Sequence, residues 1–350
     1  MPLDSPRIPH PSGRSGPAVT HGYREVVGAF HVHSTYSDGQ LPVEEIVRIA
    51  NRQGLDFLIL TDHNTLQPRR DGKEGWHGST LVLVDTEIST QRGHFIALRT
   101  TEEIPARRDP QWTIDEVARV GGLGFIAHPF WNKIPWRDEE VRGFMGLEIY
   151  NAAHDIAEHH PLNLGFWIFL FGSDLTLSRW LDRSTEPLAL WDRYLSRGDR
   201  VVGVGACDAH GLKRLGLHWC PYGNTFKLVR NHLLVEEDLT TEAIYEALER
   251  GHLFVAHDLV AEAKGFVFLA VAGGRVEGIM GDSVQGREGL RLYAHLPSAG
   301  AMVLFKDGRE VARAQGQHGW FEASAAGVYR LEATRKGRPW IYSNPIYVIE

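Results

Sequence analysis

Two histidines one residue apart, with an aspartate and a glycine close behind, occupy the stretch His31-Val32-His33-Ser34-Thr35-Tyr36-Ser37-Asp38-Gly39. It follows directly on the apolar run Val26-Val27-Gly28-Ala29-Phe30. In an extended strand, residues i and i+2 share a face, so His31 and His33 could reach one ion together. The rest of the chain repeats the pattern. DFLIL is followed by Thr61-Asp62-His63, LVLVDT by Glu87 with His94 soon after, GFIA by His128-Pro129, and VVGVGAC by Asp208-Ala209-His210. Parallel α/β folds place their active sites at the carboxyl ends of strands, so these residues predict one common site.

Imidazole and carboxylate ligands suit zinc, iron(II) or manganese, and the chain has only Cys207 and Cys220, too few for a thiolate site. Four ligands close a structural zinc site. Here nine candidates converge: His31, His33, Asp38, His63, Glu87, His94, His128, Asp208 and His210. That number implies two to three divalent ions with open positions, a catalytic arrangement. Three such ions, six neutral imidazoles and three carboxylates would carry about +3, a receptor for a phosphate dianion. Arg69, Arg70, Arg92, Lys133, Lys213 and Arg214 follow these strands and would add to that field.

The elements that position these residues are readable from hydrophobic periodicity. Strands are predicted over Val26–Val32, Asp56–Leu60, Leu81–Val84, Phe95–Leu98, Leu123–Ala127, Gly146–Tyr150 and Val201–Ala206. A helix is expected from Leu41 to Gln53, started by Pro42 and closed by Gly54. Thr113 and Glu116 form a candidate capping box for a helix ending at Gly121-Gly122, and Leu239–Arg250 is a third helix with Gly251 after it. The alternation predicts a parallel α/β domain over residues 23–260, of barrel or doubly wound type. From residue 261 to 350 only β-type runs remain, with Asp307-Gly308 as a hairpin turn, so a separate β-sandwich is expected there. Gly28, Gly203 and Gly205 read as close-packing positions, and Cys207 as a small buried strand residue.

Net charge is −7, which argues against sequence-independent nucleic-acid binding. Residues 1–22 are rich in Pro, Ser and Gly and read as a disordered tail. The most apolar run, Leu164–Phe171, is far shorter than a membrane span and reads as a core or pocket-wall helix. His154, His159 and His160 lie on a polar stretch and are expected to face solvent. With few cysteines and no signal peptide pattern, a cytoplasmic location away from membranes is the expectation.

The ordered set His31-x-His33-Ser34, Asp38-Gly39, Thr61-Asp62-His63, Glu87, Ala127-His128-Pro129 and Asp208-x-His210 resembles the PHP superfamily, the polymerase and histidinol phosphatase group of metal-dependent phosphoesterases, over about residues 25–257. The resemblance implies a distorted (β/α)7 TIM-like barrel with three metal ions. It implies one ion on His31, His33, Glu87 and Asp208. A second would be bridged by Glu87 to His94 and His128, and a third held by Asp38, His63 and His210. The C-terminal β region and Ser343-Asn344-Pro345-Ile346-Tyr347 resemble a carbaryl-hydrolase-like branch, in which Glu148-x-x-Asn151 also sits near the site.

The leading expectation is a phosphoesterase acting on a small phosphate ester through a metal-bridging hydroxide. Glu87 would act at its centre. His210, Asp62 or a metal-bound water would protonate the leaving group, and Asn151, Lys213, Arg214 and Arg92 would contact substrate. Two alternatives stand beside it: a carbamate, amide or ester hydrolase using the same cluster, and a non-catalytic binding protein on the same scaffold.

Overall fold

Strands form where apolar residues run without a polar break. Phe57–Leu60 and Thr80–Val84 are buried at every position, as strands covered on both faces are. The computed structural model describes residues 22–158, 173–211, 213–214, 217–218, 221–236 and 238–350. The predicted tail, the apolar run 164–171, His159, His160 and Cys220 lie outside the described residues, as do the side chains of Lys213 and Arg214. No described helix is long and apolar enough to cross a membrane.

In chain order the strands are β1 (Arg24–Val32), β2 (Phe57–Leu60), β3 (Gly75–His77), β4 (Thr80–Val84), β5 (Thr86–Thr90), β6 (Gly93–Leu98), β7 (Leu123–Ile126), β8 (Gly146–Asn151), β9 (Val202–Ala206), β10 (Lys213–Arg214), β11 (Leu217–His218), β12 (Arg230–Val235) and β13 (Leu253–Ala256). The C-terminal region adds β14 (Val267–Ala272), β15 (Arg275–Ile279), β16 (Ser283–Gln285), β17 (Arg291–Lys306), β18 (Arg309–Glu322), β19 (Gly327–Arg335), β20 (Arg338–Ser343) and β21 (Ile346–Ile349). An α/β domain is thus followed by a largely β region.

The sheets are mixed rather than parallel. The pairs β1–β2, β2–β4, β7–β8 and β8–β9 are parallel, whereas β5–β6, β6–β7 and β1–β12 are antiparallel. The hairpin β5–β6 accounts for His94: it opens an antiparallel strand and so stands at the same end of the sheet as the residues that close parallel ones. One sheet carries β5 through β9, and another joins β3, β4, β2, β1, β12 and β13 to the C-terminal strands. Isolated parallel bridges, Val32 with Ala209 and His63 with Glu87, link the two sheets at the end where the candidate ligands stand.

The helices follow their caps. Pro42 precedes the helix Val43–Arg52, and Gly251 (φ 72°) ends Thr241–Arg250, whose N-cap Thr240 accepts from the Ala243 amide. The expected Thr113/Glu116 box is not the cap of the helix Pro110–Arg119. Asp109 is, accepting from the amides of Gln111 and Trp112. Pro110 supplies the reason, because its fixed φ suits the first helical position and sets the start three residues earlier.

The C-terminal strands are hydrogen-bonded to the first domain through β13 and β20. A second tie comes from side chains. Among the described residues, strand β9 has no ladder partner beyond β8, and the amides of Asn231 and Asn344 take that place. Asn231 pairs with Gly205 and Asn344 with Gly203, each accepting from the glycine N–H and donating to its C=O. Only glycine fits there: a Cβ at Gly203 would meet Trp191, and one at Gly205 would meet Val229 and Val255.

A third tie is ionic. The helix Thr185–Ser196 presents Asp192, which accepts two 2.7 Å hydrogen bonds from Arg330 of β19. Arg330 is 2% exposed, stacked between Phe305 (4.3 Å) and Trp191 (5.5 Å), and also donates to Glu332 at 2.6 Å. The turn Asp307-Gly308 between β17 and β18 is the predicted hairpin, and its tip rests against Asp192, where a Gly308 side chain would collide. Removing one partner from such a pair strands the other charge away from water. Arg330→Ala is therefore expected to destabilise the fold by about 3–5 kcal/mol. Urea unfolding of the full chain measures this, and a loss below about 1 kcal/mol would show that the network is not structural.

Candidate metal centre

The strand ends that carry the candidate ligands are not regular. His31, His128 and Asp208, at the ends of β1, β7 and β9, have φ of 67°, 24° and 47°, and Asn64 beside β2 has 55°. Left-handed backbone at a non-glycine residue costs of order 1–3 kcal/mol and collects at functional sites. It also changes how the ligands converge. The pairing of β1 with β2 shifts register between Ala29 and Val32, so His31 and His33 meet through a kinked strand end rather than through the plain alternation of the pleat.

Glu87 is the meeting point. Its Oε2 lies 3.1 Å from His31 Nε2, 3.3 Å from His33 Nε2 and 3.1 Å from His63 Nδ1. Its Oε1 lies 2.8 Å from His94 Nδ1 and 3.0 Å from His128 Nε2. Asp208 Oδ1 lies 3.6 Å from both His31 Nε2 and His33 Nε2, and 3.4 Å from His210 Nδ1. Asp38 reaches His210 Nε2 at 3.2 Å, His63 Nε2 at 3.6 Å and His33 Nδ1 at 3.7 Å. The structure brings all nine predicted ligands together.

These separations suit shared ions. Bonds of about 2.1 Å around one ion put neighbouring donors roughly 3.0–3.4 Å apart. Three groups of donor atoms gather within 4.8 Å: His33, Asp38, His63 and His210; His31, His33 and Asp208; and His63, Glu87 and His94. The grouping sets His63 beside Glu87 and His94 as well as beside Asp38. Buried ring nitrogens with no hydrogen-bond partner, His31 Nε2, both nitrogens of His33, His63 Nδ1 and His128 Nδ1, complete the fit.

Neighbouring carboxylates act on three of these histidines, His31, His63 and His128, and on His210. Burial pulls the His31 pKa down, but Glu87, Glu148 and Asp208 reverse this and hold it well above the ordinary value. In the same way, burial is overcome at His63 by Asp38 and Glu87, and at His128 by Glu87. His210 is pushed up to about 9 against its burial, by Asp38 and Asp208. Burial would raise Glu87 and Asp208, yet the surrounding imidazoles hold both well below the carboxylate range. A metal-free centre keeps protons where divalent ions would bind.

Residues 29–201 match the family model of the PHP domain. Over this stretch, just under half of its length, the chain is similar to the PHP domain. An uncharacterised protein of Methanocaldococcus jannaschii is 27% identical over 138 residues, 35% of this chain and 81% of the relative. A second from that organism is 26% identical over 187 residues, 53% of this chain and 66% of the relative. A two-domain structure from Bacteroides vulgatus, containing a predicted PHP-like metal-dependent phosphoesterase, is 16% identical, with 95% of this chain and 99% of that one covered and a TM-score of 0.43.

Around the nine candidate ligands, a further set of side chains fixes their orientation. Glu148 accepts from His31 Nδ1 at 2.5 Å and from the His128 amide at 2.7 Å, which leaves His31 Nε2 facing the centre. Asn151 Nδ2 donates to Glu148 (3.0 Å) and to Asp208 (3.2 Å), so this candidate substrate contact is placed against the site's own carboxylates. Asp62, a candidate proton donor, is fully buried. It accepts from the Ser34 amide, the Ser34 hydroxyl and the Ser37 hydroxyl at 2.8, 2.7 and 2.6 Å, pinning the loop that carries Asp38. Tyr222 donates to the His33 carbonyl at 2.8 Å, a support with no signal in the local sequence. A Cβ at Gly39 would collide with the His33 carbonyl, so glycine is needed for close approach of the returning loop.

Of the predicted cations, Arg69, Arg70 and Arg92 face other groups of the protein. Arg92 is 54% exposed and faces Asp138 at 3.4 Å. Arg69 is held by Glu74 and the carbonyls of Thr100 and Val84, and Arg70 by Glu103. Lys213 and Arg214 form the short strand β10, paired with β11. Cys207 is fully buried, as expected of a small strand residue, and its thiol is pushed above its ordinary range by burial.

The raised imidazoles give a signed expectation. Loading the metal-free protein with Zn2+ or Mn2+ near pH 7 should release protons, and affinity should rise with pH until His210 deprotonates near 9. Calorimetry in buffers of different ionisation enthalpy measures the release. Binding without any proton release would contradict this account of the centre.

Proposed function

We propose that the chain is a metal-dependent phosphoesterase that holds two to three divalent ions and cleaves a small phosphate ester. The observation that supports this best is Glu87, one fully buried carboxylate shared by five imidazoles, with Asp208 and Asp38 extending the set on either side. Bound ions would supply Lewis acidity toward the phosphoryl oxygens and lower the pKa of a water at the site.

The residues of the chain divide the remaining work. His31, His33, Glu87 and Asp208 form the buried floor, at most 5% exposed. Glu148 and Asn151 hold that floor in register, through His31 and Asp208. The Asp38–His210 side is open: their side chains are 57% and 17% exposed. Proton exchange with the leaving group belongs on that side. Asp62 does not share the task, since both its oxygens are taken by Ser34 and Ser37. Positive charge on the loaded cluster favours a phosphate dianion over a neutral carbamate or amide.

Metal analysis of the purified protein, followed by turnover of phosphomonoesters, phosphodiesters and carbamate esters, tests the reading. About three ions per chain with phosphoester turnover is expected. Glu87→Ala and Asp208→Ala should lose ions, and turnover should fall by at least about 10³-fold. Full phosphatase activity in a metal-free Glu87→Ala protein would sink the proposal, and turnover of carbamates alone would replace it with the carbamate reading.

A further inference from the structure

The mouth of the centre is the side where Asp38, His63 and His210 reach the surface, with side chains 57%, 22% and 17% exposed. The leaving alcohol belongs at this mouth, while Arg69, Arg70 and Arg92 are engaged with other groups. We propose that Arg107, on the rim of the mouth, binds a second negative group carried by that alcohol, a carboxylate or a further phosphate. The proposal rests on the phosphoesterase reading.

Strand β5 places Arg107. Two of its carbonyls are taken in order along the strand. Glu87 O accepts from the Asn64 amide at 2.9 Å, and Ser89 O accepts from the Arg107 amide at 2.6 Å. Asn64 directly follows His63, and its side chain brackets Ser89, accepting from the Ser89 amide and donating to its hydroxyl. Ser89 also stands opposite His94 in the β5–β6 hairpin. The Arg107 backbone is thus fixed two residues along β5 from Glu87, about 7 Å, beside two histidines of the centre. An arginine side chain spans a comparable distance. A guanidinium here can meet the part of a substrate that lies beyond a phosphate held at Glu87.

Two features set Arg107 apart from an ordinary surface arginine. Its φ is 58°, a left-handed backbone that is strained for a non-glycine residue and that collects at functional sites. Its guanidinium is also uncommitted: among the described residues it has no hydrogen bond or ion pair. The acids of its own segment are held by others. Glu103 accepts from Arg70, Thr65 and the Leu66 amide, and Asp109 caps the helix Pro110–Arg119. Neighbouring Arg108 lies over the ring of Trp112 instead. Exposed, planar and always charged, the Arg107 fork suits bidentate binding of a carboxylate or phosphate. An alcohol without such a group leaves the fork unused.

Matched pairs that differ by one carboxylate test this on the metal-loaded full chain. Glycerol 3-phosphate and 3-phosphoglycerate are the substrates, and ethylphosphonate and 3-phosphonopropionate the uncleaved ligands. Wild type should favour 3-phosphoglycerate by about 10-fold or more in kcat/KM. By calorimetry it should bind 3-phosphonopropionate about 10-fold more tightly than ethylphosphonate. Arg107→Gln should bring both ratios to within about twofold, chiefly by raising KM and Kd for the carboxylates, with metal content unchanged. Arg107→Gly, which suits the left-handed backbone, should lose the preference equally, because the side chain alone does the binding. Arg107→Lys keeps the charge without the fork and should recover part of it.

Equal use of both esters by wild type, with equal binding of both phosphonates, overturns the role of Arg107 and leaves the phosphoesterase reading in place. A preference that survives in Arg107→Gln overturns it as well. A loss in Arg107→Gln that is the same for all four compounds assigns the residue to the transferred phosphate and overturns the second-anion subsite. A wild type that cleaves no phosphoester at all overturns the phosphoesterase reading and this proposal with it.

Discussion

A single buried carboxylate organises this protein. Glu87 is 1% exposed and lies within 3.3 Å of ring nitrogens from five histidines on four separate stretches of chain. Bringing those groups out of water is costly unless each charge finds a counter-charge. The same demand explains the backbone: left-handed residues at three strand ends are tolerated because the converging side chains leave no other path. Divalent ions would answer both costs, since they would neutralise the carboxylates and satisfy the orphaned nitrogens.

Around that centre the chain has built a support of ordinary hydrogen bonds. Glu148 orients His31, Asn151 steadies Glu148 and Asp208, and Asp62 ties down the loop between His33 and Asp38. Each removes a rotational freedom from a ligand, and so keeps the centre assembled before ions arrive. The C-terminal region extends the same logic outward. Asn344 lies flat on Gly203, Arg330 clamps Asp192, and the β17–β18 turn rests on the helix Thr185–Ser196. A region that supplies none of the nine candidate ligands thereby shapes the space next to them.

Much of this was legible in the chain itself. Nine candidate ligand positions, most of the strands and helices, the Asp307-Gly308 turn and the close-packing glycines all follow from local pattern, because each depends on residues near in sequence. Where local pattern misled, a neighbour outweighed it. Pro110 moved a helix start from Thr113 to Asp109. The two serines beside the opening histidines claimed Asp62. The mixed sheet was hidden because an antiparallel hairpin at β5–β6 and a parallel pair bury equally apolar runs.

What the sequence by itself determined is the chemistry of the site: histidine, aspartate and glutamate at strand ends, with no competing thiolate cluster, make a cluster of groups consistent with several metal ions. That is so because ligand type is a property of the residue, and strand-end placement is a property of the local run. Only the tertiary structure decided which donors share a carboxylate, which acids merely hold others in place, and which contacts tie the C-terminal strands to the first domain. Those outcomes turn on contacts such as Glu148 with His31, 117 residues apart, and Arg183 with Glu332, 149 apart. Distances of that kind are set by how sheets pack, and no periodicity within a segment encodes them.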